Sequence, residues 1–230
     1  MRITKAEFIT SLNKYGAFPG RGQPEIALAG RSNVGKSSLI NALCRNSRLA
    51  HTSSEPGKTR MINIYRVRAA GEGGSARTEE FFLTDLPGYG FARASGDERR
   101  RWQGMIEGYL TGSDKLVYAL LLVDSRHEPT DDDRQMAEYL RGIGLPFCAV
   151  ATKTDKLSKA QLSRSLPLIY RKLVIQPWQL VTWSSETGAG RDKLLSTLES
   201  VLHPAKAQDD GIILPEGLTF EDGPVTETED

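Results

Sequence analysis

A chain of 230 residues, 39% apolar and 26% charged, is long enough for one sizeable α/β core and leaves little for a second domain. The longest apolar run, Leu116 to Val123, is too short to span a bilayer, and the first residues lack an apolar stretch of the signal-peptide kind; no membrane partner and a cytoplasmic location are therefore expected. The formal net charge of +1 hides a division, because residues 203–230 hold eight acidic side chains against Lys206 alone, a net of −7 that leaves about +8 on residues 1–202.

In chain order, residues 6–12 alternate apolar and polar side chains, like an edge strand ahead of the main fold, and residues 18–24 read as loop. Residues 25–29 read as a buried strand, followed by a glycine-containing loop and a helix from residue 38. Residues 45–60 are polar, basic and turn-rich, as in a mobile loop. Strands are predicted at 61–67 and 79–85, joined by a hairpin loop at 71–75. A helix over 96–111 carries Arg99, Arg100 and Arg101. Strands at 116–123, 146–151 and 179–183 then alternate with helices near 130–142, 159–173 and 190–201. This order predicts an α/β fold: a mostly parallel, doubly wound sheet with helices on both faces and the ligand at the carboxyl ends of the strands. The expected parts are an N-terminal strand and loop (1–24) packed on a nucleotide-binding domain (25–202), and an acidic, disordered tail (203–230). Cys44 and Cys148 have neither metal-ligand nor disulfide spacing and read as buried thiols.

Four motifs carry the chemistry. Gly30-Arg31-Ser32-Asn33-Val34-Gly35-Lys36-Ser37 fits G-x-x-x-x-G-K-S/T, the phosphate-cradling P-loop, with Ser38 opening the helix behind it. Its backbone N–H groups turn toward phosphate oxygens, Lys36 reaches the β- and γ-phosphates, and Ser37 ligates magnesium. Asp85-Leu86-Pro87-Gly88 stands at a predicted strand end, 55 positions after Gly30. There Asp85 can hold magnesium through water, and the Gly88 N–H can bind a γ-phosphate and release it after hydrolysis. Thr152-Lys153-Thr154-Asp155 follows another strand. A carboxylate at Asp155 can accept the ring N–H and the exocyclic amine of guanine, a donor pair adenine lacks, while Lys153 lays its stem over the base. Ser184-Ser185-Glu186 is placed to give a backbone N–H to the guanine carbonyl. The fold class is thus a P-loop GTPase domain binding GTP or GDP. Thr59, within Gly57-Lys58-Thr59-Arg60-Met61, is the candidate switch threonine that completes the magnesium shell with Ser37 and Asp85; the plain alternative is a turn residue. Lys36, Thr59, Gly88 and Asn33 form the candidate catalytic set.

On these motifs, residues 3–202 resemble the EngB (YihA/YsxC) family of bacterial GTP-binding proteins, within the translation-factor-related GTPases. The Pro-Gly-Lys-Thr and Thr-Lys-x-Asp elements are the more telling ones. The resemblance implies a GTPase acting in assembly of the large ribosomal subunit, with ribosomal RNA and proteins as partners and a role in normal cell division and septation. A monomer is expected. No function is carried onto the acidic tail, which reads either as a solubility feature or as the counterpart of a basic body that meets a polyanion.

Three departures bear on mechanism. Thr152 stands where most small GTPases have asparagine. It is too short to touch both base and P-loop, so looser binding and unaided exchange are expected. Tyr89 stands where Ras-type proteins have the water-orienting glutamine, so intrinsic hydrolysis should be slow. Help would come from the partner, or from potassium at Asn33, where related GTPases use an asparagine to coordinate that ion; alternatively Asn33 only hydrogen-bonds within the loop. Arg45, Arg48, His51, Lys58 and Arg60, with Arg99 to Arg101, would make a surface for ribosomal RNA backbone if the two switch segments share a face, or otherwise a solvated one. Asp131 to Asp133 reads as helix-start charge. Two other functions compete with this reading: a P-loop phosphotransferase, which has no use for a guanine motif, and a division-site scaffold that binds GTP without turnover.

Overall fold

The computed structural model describes residues 1–13, 22–51, 61–71, 78–90 and 96–203. The strands are β1 (Arg2–Leu12), β2 (Glu25–Gly30), β3 (Ile62–Ala70), β4 (Thr78–Asp85), β5 (Leu116–Asp124), β6 (Phe147–Thr152) and β7 (Leu180–Thr182). The helices are α1 (Lys36–Cys44), α2 (Gly96–Gly112), α3 (Asp131–Gly142), α4 (Lys159–Leu173) and α5 (Arg191–Leu202), with short 3-10 turns at Thr154–Lys156 and Pro177–Gln179. All strands lie in one sheet of order β1-β3-β4-β2-β5-β6-β7. The β1/β3 and β3/β4 pairs are antiparallel, and β4, β2, β5, β6 and β7 run parallel.

The parallel strands are apolar without interruption because both of their faces are covered. Alternate residues serve opposite faces. Ile26, Leu28, Leu120, Leu122 and Val150 meet Leu39, Ile40 and Leu43 of α1 and Leu194, Leu195 and Leu198 of α5. Ala27, Ala29, Ala119, Leu121, Ala149 and Ala151 meet Ile106 and Tyr109 of α2, Leu140 of α3 and Ile169 and Leu173 of α4. The many alanines on the second face leave room for three helices. Both cysteines are buried and free, and burial pushes each thiol up to about 12.

The predicted elements recur with small shifts. The largest is in β1, which begins at Arg2 and pairs with β3 as far as Ala70. Irregularities between Ile3 and Lys5 and between Phe8 and Thr10 break its alternation, so periodicity shows only its second half. The tail from residue 204 and the loops at 52–60 and 72–77 lie outside the described residues.

One buried charge stands at the start of β2. Glu25 is 1% exposed, and its Oε2 accepts from the Tyr109 hydroxyl at 2.7 Å. Burial raises its pKa above 4.5, against the pull of Tyr109 and Ser113. The folded state therefore binds a proton more readily than the unfolded chain, and this carboxyl's contribution to stability is lost as pH rises from 4.5 through the raised value. Glu25→Gln should raise the urea midpoint at pH 7, with the gain gone below pH 4.5, in paired unfolding series across pH.

Candidate nucleotide-binding site

The site gathers where β2, β4, β5 and β6 end. After Gly30 the chain turns through Arg31–Val34 to Gly35, whose φ of +111° is left-handed and suits glycine. Gly35 caps α1 without a side-chain hydrogen bond, and no acidic residue occupies the first turn. The leading N–H groups of α1 are thus presented to an anion. Lys36 is 8% exposed and donates from Nζ to the Gly30 carbonyl at 3.1 Å. Burial lowers its pKa, and the Asp85 charge opposes that shift.

Asp85 ends β4, in register with Leu28 of β2. It is 1% exposed, and neither carboxylate oxygen has a hydrogen-bond partner among the described residues. Burial pushes its pKa up to about 6, while the Lys36 charge and the neighbouring Ser37 hydroxyl work the other way. A buried carboxylate left without partners is costly. Two orphaned carboxylate oxygens beside a serine hydroxyl suit magnesium, which takes few protein oxygens and completes its shell with water and substrate phosphates.

The next residues clamp onto the P-loop. Leu86 and Pro87 are buried, and the Leu86 N–H donates to Leu28 O at 3.1 Å. At Gly88 a Cβ would lie 2.8 Å from both N and Cα of Ser32, so only glycine fits. The Ser32 N–H donates to Tyr89 O at 3.1 Å. The Tyr89 hydroxyl donates to Asp133 Oδ1 at 3.0 Å, and burial followed by that carboxylate raises its pKa well above the usual value. Asp133 also closes a capping box with Thr130 at the start of α3. The helix-start reading of Asp133 therefore holds, with the tyrosine contact added.

The base-side motif is cross-braced. Thr152 Oγ1 lies 2.7 Å from Val34 O and 3.1 Å from Val123 O. Of the two contacts, base and P-loop, the hydroxyl makes the one to the P-loop, at Val34. Its single hydrogen is taken by a carbonyl, so none is left to donate to a base. Lys153, at φ +60°, donates from Nζ to Asn33 O at 2.7 Å and to Asp124 Oδ2 at 2.9 Å. Burial pushes the Asp124 carboxyl upward, but its bonds to Arg126 and Lys153 outweigh this and hold it well below the usual carboxylate range. Thr154 donates from N and Oγ1 to Trp183 O at 3.2 and 3.0 Å. Asp155 accepts from the Ser184 hydroxyl at 2.7 Å and pairs with Lys156 at 2.9 Å, which together lower its pKa. Ser184 spends its own N–H on Ala189 O, leaving Ser185 and Glu186 for the role in which all three were considered.

The described residues thus bring Gly30 to Ser38, Asp85 to Gly88, Thr152 to Asp155 and Ser184 to Glu186 to one end of the sheet. Gly57, Lys58, Thr59 and Arg60 lie outside the described residues; Met61 is half-exposed just before β3. Of the basic set, Arg45, Arg48, His51 and Arg100 are exposed. Sequence reasoning missed Asp124, which pairs with both Lys153 and Arg126; a carboxylate at a strand end was the only signal. A cavity of about 190 Å³ opens beside the P-loop, lined in part by Arg31, Asn33, Asp124, Arg126, Asp133 and Lys153.

Residues 25–153 match a family model described as 50S ribosome-binding GTPase. The probable GTP-binding protein EngB of Desulforamulus reducens is 44% identical over 204 residues, covering 88% of this chain and 95% of that one. Its namesake from Bacillus subtilis is 41% identical over 204 residues, covering 88% and 100%. The chain belongs to the EngB family of GTP-binding GTPases. A crystal structure of a probable EngB superposes with a TM-score of 0.59 at 22% identity, over 78% of this chain and 99% of that one, which supports the P-loop GTPase fold. Among the described residues no helix is long and apolar enough to cross a membrane.

In this EngB chain, Thr152→Asn restores a second donor. Release of a fluorescent GDP analogue, followed by stopped flow, should slow about tenfold, the worth of one hydrogen bond of roughly 1–1.5 kcal/mol.

Proposed function

We propose that the chain is a GTP-operated switch with slow intrinsic hydrolysis that acts in assembly of the large ribosomal subunit. The observation that carries this reading is the strut between P-loop and second switch, in which Ser32 N–H holds Tyr89 O while Gly88 lies against Ser32. A γ-phosphate bound by Lys36 and the Gly88 N–H arrives at this strut, so its presence or loss is felt by the segment that follows Gly90. Asp155, oriented by Ser184 and Lys156, takes the two guanine N–H donors, and Ser185 or Glu186 meets the base carbonyl.

In hydrolysis, water attacks the γ-phosphorus, the bond to the β-γ bridging oxygen breaks, and GDP and phosphate leave. Lys36 and the α1 N–H groups balance charge that builds on the bridging and γ-oxygens. Ser37, Asp85 and Thr59 would hold magnesium, which neutralises phosphate charge when bound. The hydrogen that Tyr89 could lend to a water is committed to Asp133, which supports a slow intrinsic rate. Asn33, exposed at φ +62° with its carbonyl held by Lys153, is the proposed potassium ligand. Turnover in potassium chloride should exceed that in sodium chloride about tenfold or more; equal rates would remove Asn33 from the catalytic set.

The family model's description supports a ribosomal partner, and the need in division and septation belongs to the same proposal. Sedimentation with isolated large subunits tests it. Co-migration with a non-hydrolysable GTP analogue and release with GDP is expected. Equal or absent binding in both states would overturn the switch. No observation favours a non-hydrolysing division scaffold.

A further inference from the structure

The nucleotide elements lie at the carboxyl ends of the parallel strands. At the opposite end, where the strands begin, the chain leaves α4 and turns into β7. Of the described large apolar side chains, the two most exposed are here, four residues apart: Trp178 at 74% and Val174 at 70%. Neither exposure follows from packing. Val174 follows the last turn of α4 in the left-handed region, φ +52° and ψ +52°, a position that glycine usually takes and that strains a β-branched residue. Trp178 sits in the 3-10 turn Pro177–Gln179, where Pro177 fixes the chain just ahead of the ring.

The charge along the segment that carries this ring has one sign. Residues 157–185 contain Lys159, Arg164, Arg171 and Lys172 and no aspartate or glutamate. Lys172 pairs with Asp131 across the α3–α4 contact, but Arg171 has no ion pair among the described residues and is exposed. Arg164 and Arg171 are two turns apart and share a face of α4. Arg141, from the end of α3, donates to Leu173 O at 3.0 Å, which brings another cation beside Val174. A flat exposed indole seven residues after an exposed arginine that has no ion pair among the described residues matches single-stranded nucleic acid. Bases stack on the ring, and arginines meet the phosphates.

We infer that Trp178, with Val174 beside it and Arg141 and Arg171 flanking, is a docking platform for an unpaired RNA strand. The choice of RNA rests on this charge and on the ribosomal reading above. Because the platform lies at the far end of the sheet from Lys36 and Asp85, it works in both nucleotide states, as an anchor separate from the switch.

The test uses the full chain and a fluorescein-labelled twelve-nucleotide oligouridylate, read by anisotropy with GDP and with a non-hydrolysable GTP analogue. Trp178→Ala should weaken binding about tenfold or more, as expected for a lost stacked base, with the thermal midpoint unchanged because the ring is exposed. Trp178→Phe keeps a stacking face and should stay within about threefold. Arg171→Glu should lower the slope of log affinity against log salt by about 0.7 or more. All these effects should be equal in the two nucleotide states.

Wild-type binding that Trp178→Ala leaves unchanged, or an effect confined to one nucleotide state, would overturn the inference. Removal of residues 204–230 that alters wild-type affinity but not that of Trp178→Ala would make the acidic tail the occupant instead. Large subunits that lose affinity for Trp178→Ala while oligouridylate binding persists would point to a ribosomal protein and equally defeat the RNA assignment. State-selective sedimentation reads the nucleotide end alone, so its failure in the wild type would sink the switch without deciding this question.

Discussion

Lys36 at the start of α1 and Asp85 at the end of β4 are two opposite charges taken out of water, and the rest of the site is organised by keeping them there. Each buried ion costs on the order of several kcal/mol unless it is fully compensated. The compensation within the chain is partial. Lys36 has the Gly30 carbonyl, while both Asp85 oxygens lack a hydrogen-bond partner among the described residues. What holds the pair is the register of β2 against β4, with Leu28 beside Asp85, inside a sheet covered on both faces. The apolar strands are thus the support that allows an under-satisfied polar centre to persist, and an under-satisfied centre is one that gains from phosphate and metal.

The surrounding loops are also tied to one another. The P-loop accepts from Thr152 at Val34 and from Lys153 at Asn33, and it donates to Tyr89 through Ser32. Base-side motif, phosphate loop and second switch therefore form one connected backbone unit. On the proposed switch, a change at the γ-phosphate position would pass along bonds that already exist, and Asp133 gives Tyr89 a defined contact on α3. Burial raises the Tyr89 pKa well above the usual value, so its hydroxyl remains a donor in that contact.

Much of this was legible in the sequence, for a physical reason. Strands buried on both faces write themselves as apolar runs, and the phosphate and base motifs encode local backbone shapes, such as the turn at Gly35 and the close approach at Gly88. What was not legible are contacts between residues far apart in the chain. The Thr152–Val34 bond spans 118 residues and the Tyr89–Asp133 bond 44, and no spacing rule announces either. Side-chain length alone does not say which of the two contacts Thr152 keeps; that it keeps Val34 is set by how closely β6 brings the P-loop, a property of the assembled sheet. The first half of β1 was lost to bulges that spoil alternation without spoiling pairing.

The two ends of the sheet are built on opposite principles, and this bears on what a switch protein needs. At the carboxyl ends of the strands, polar groups are buried and short of partners, so they respond to a ligand. At the other end, beside the start of β7, apolar groups are exposed and Arg171 has no ion pair among the described residues, so the surface is ready without any ligand. A protein that must find a large polyanionic particle and then change its grip gains from having both kinds of surface. On the proposed reading, long-range attraction by Arg171 would bring the protein to the particle whatever nucleotide it carries, and the short-range, buried centre would decide whether it stays. Merging the two would force the attracting charges to serve the phosphates as well, and encounter would then depend on the state that encounter is meant to change.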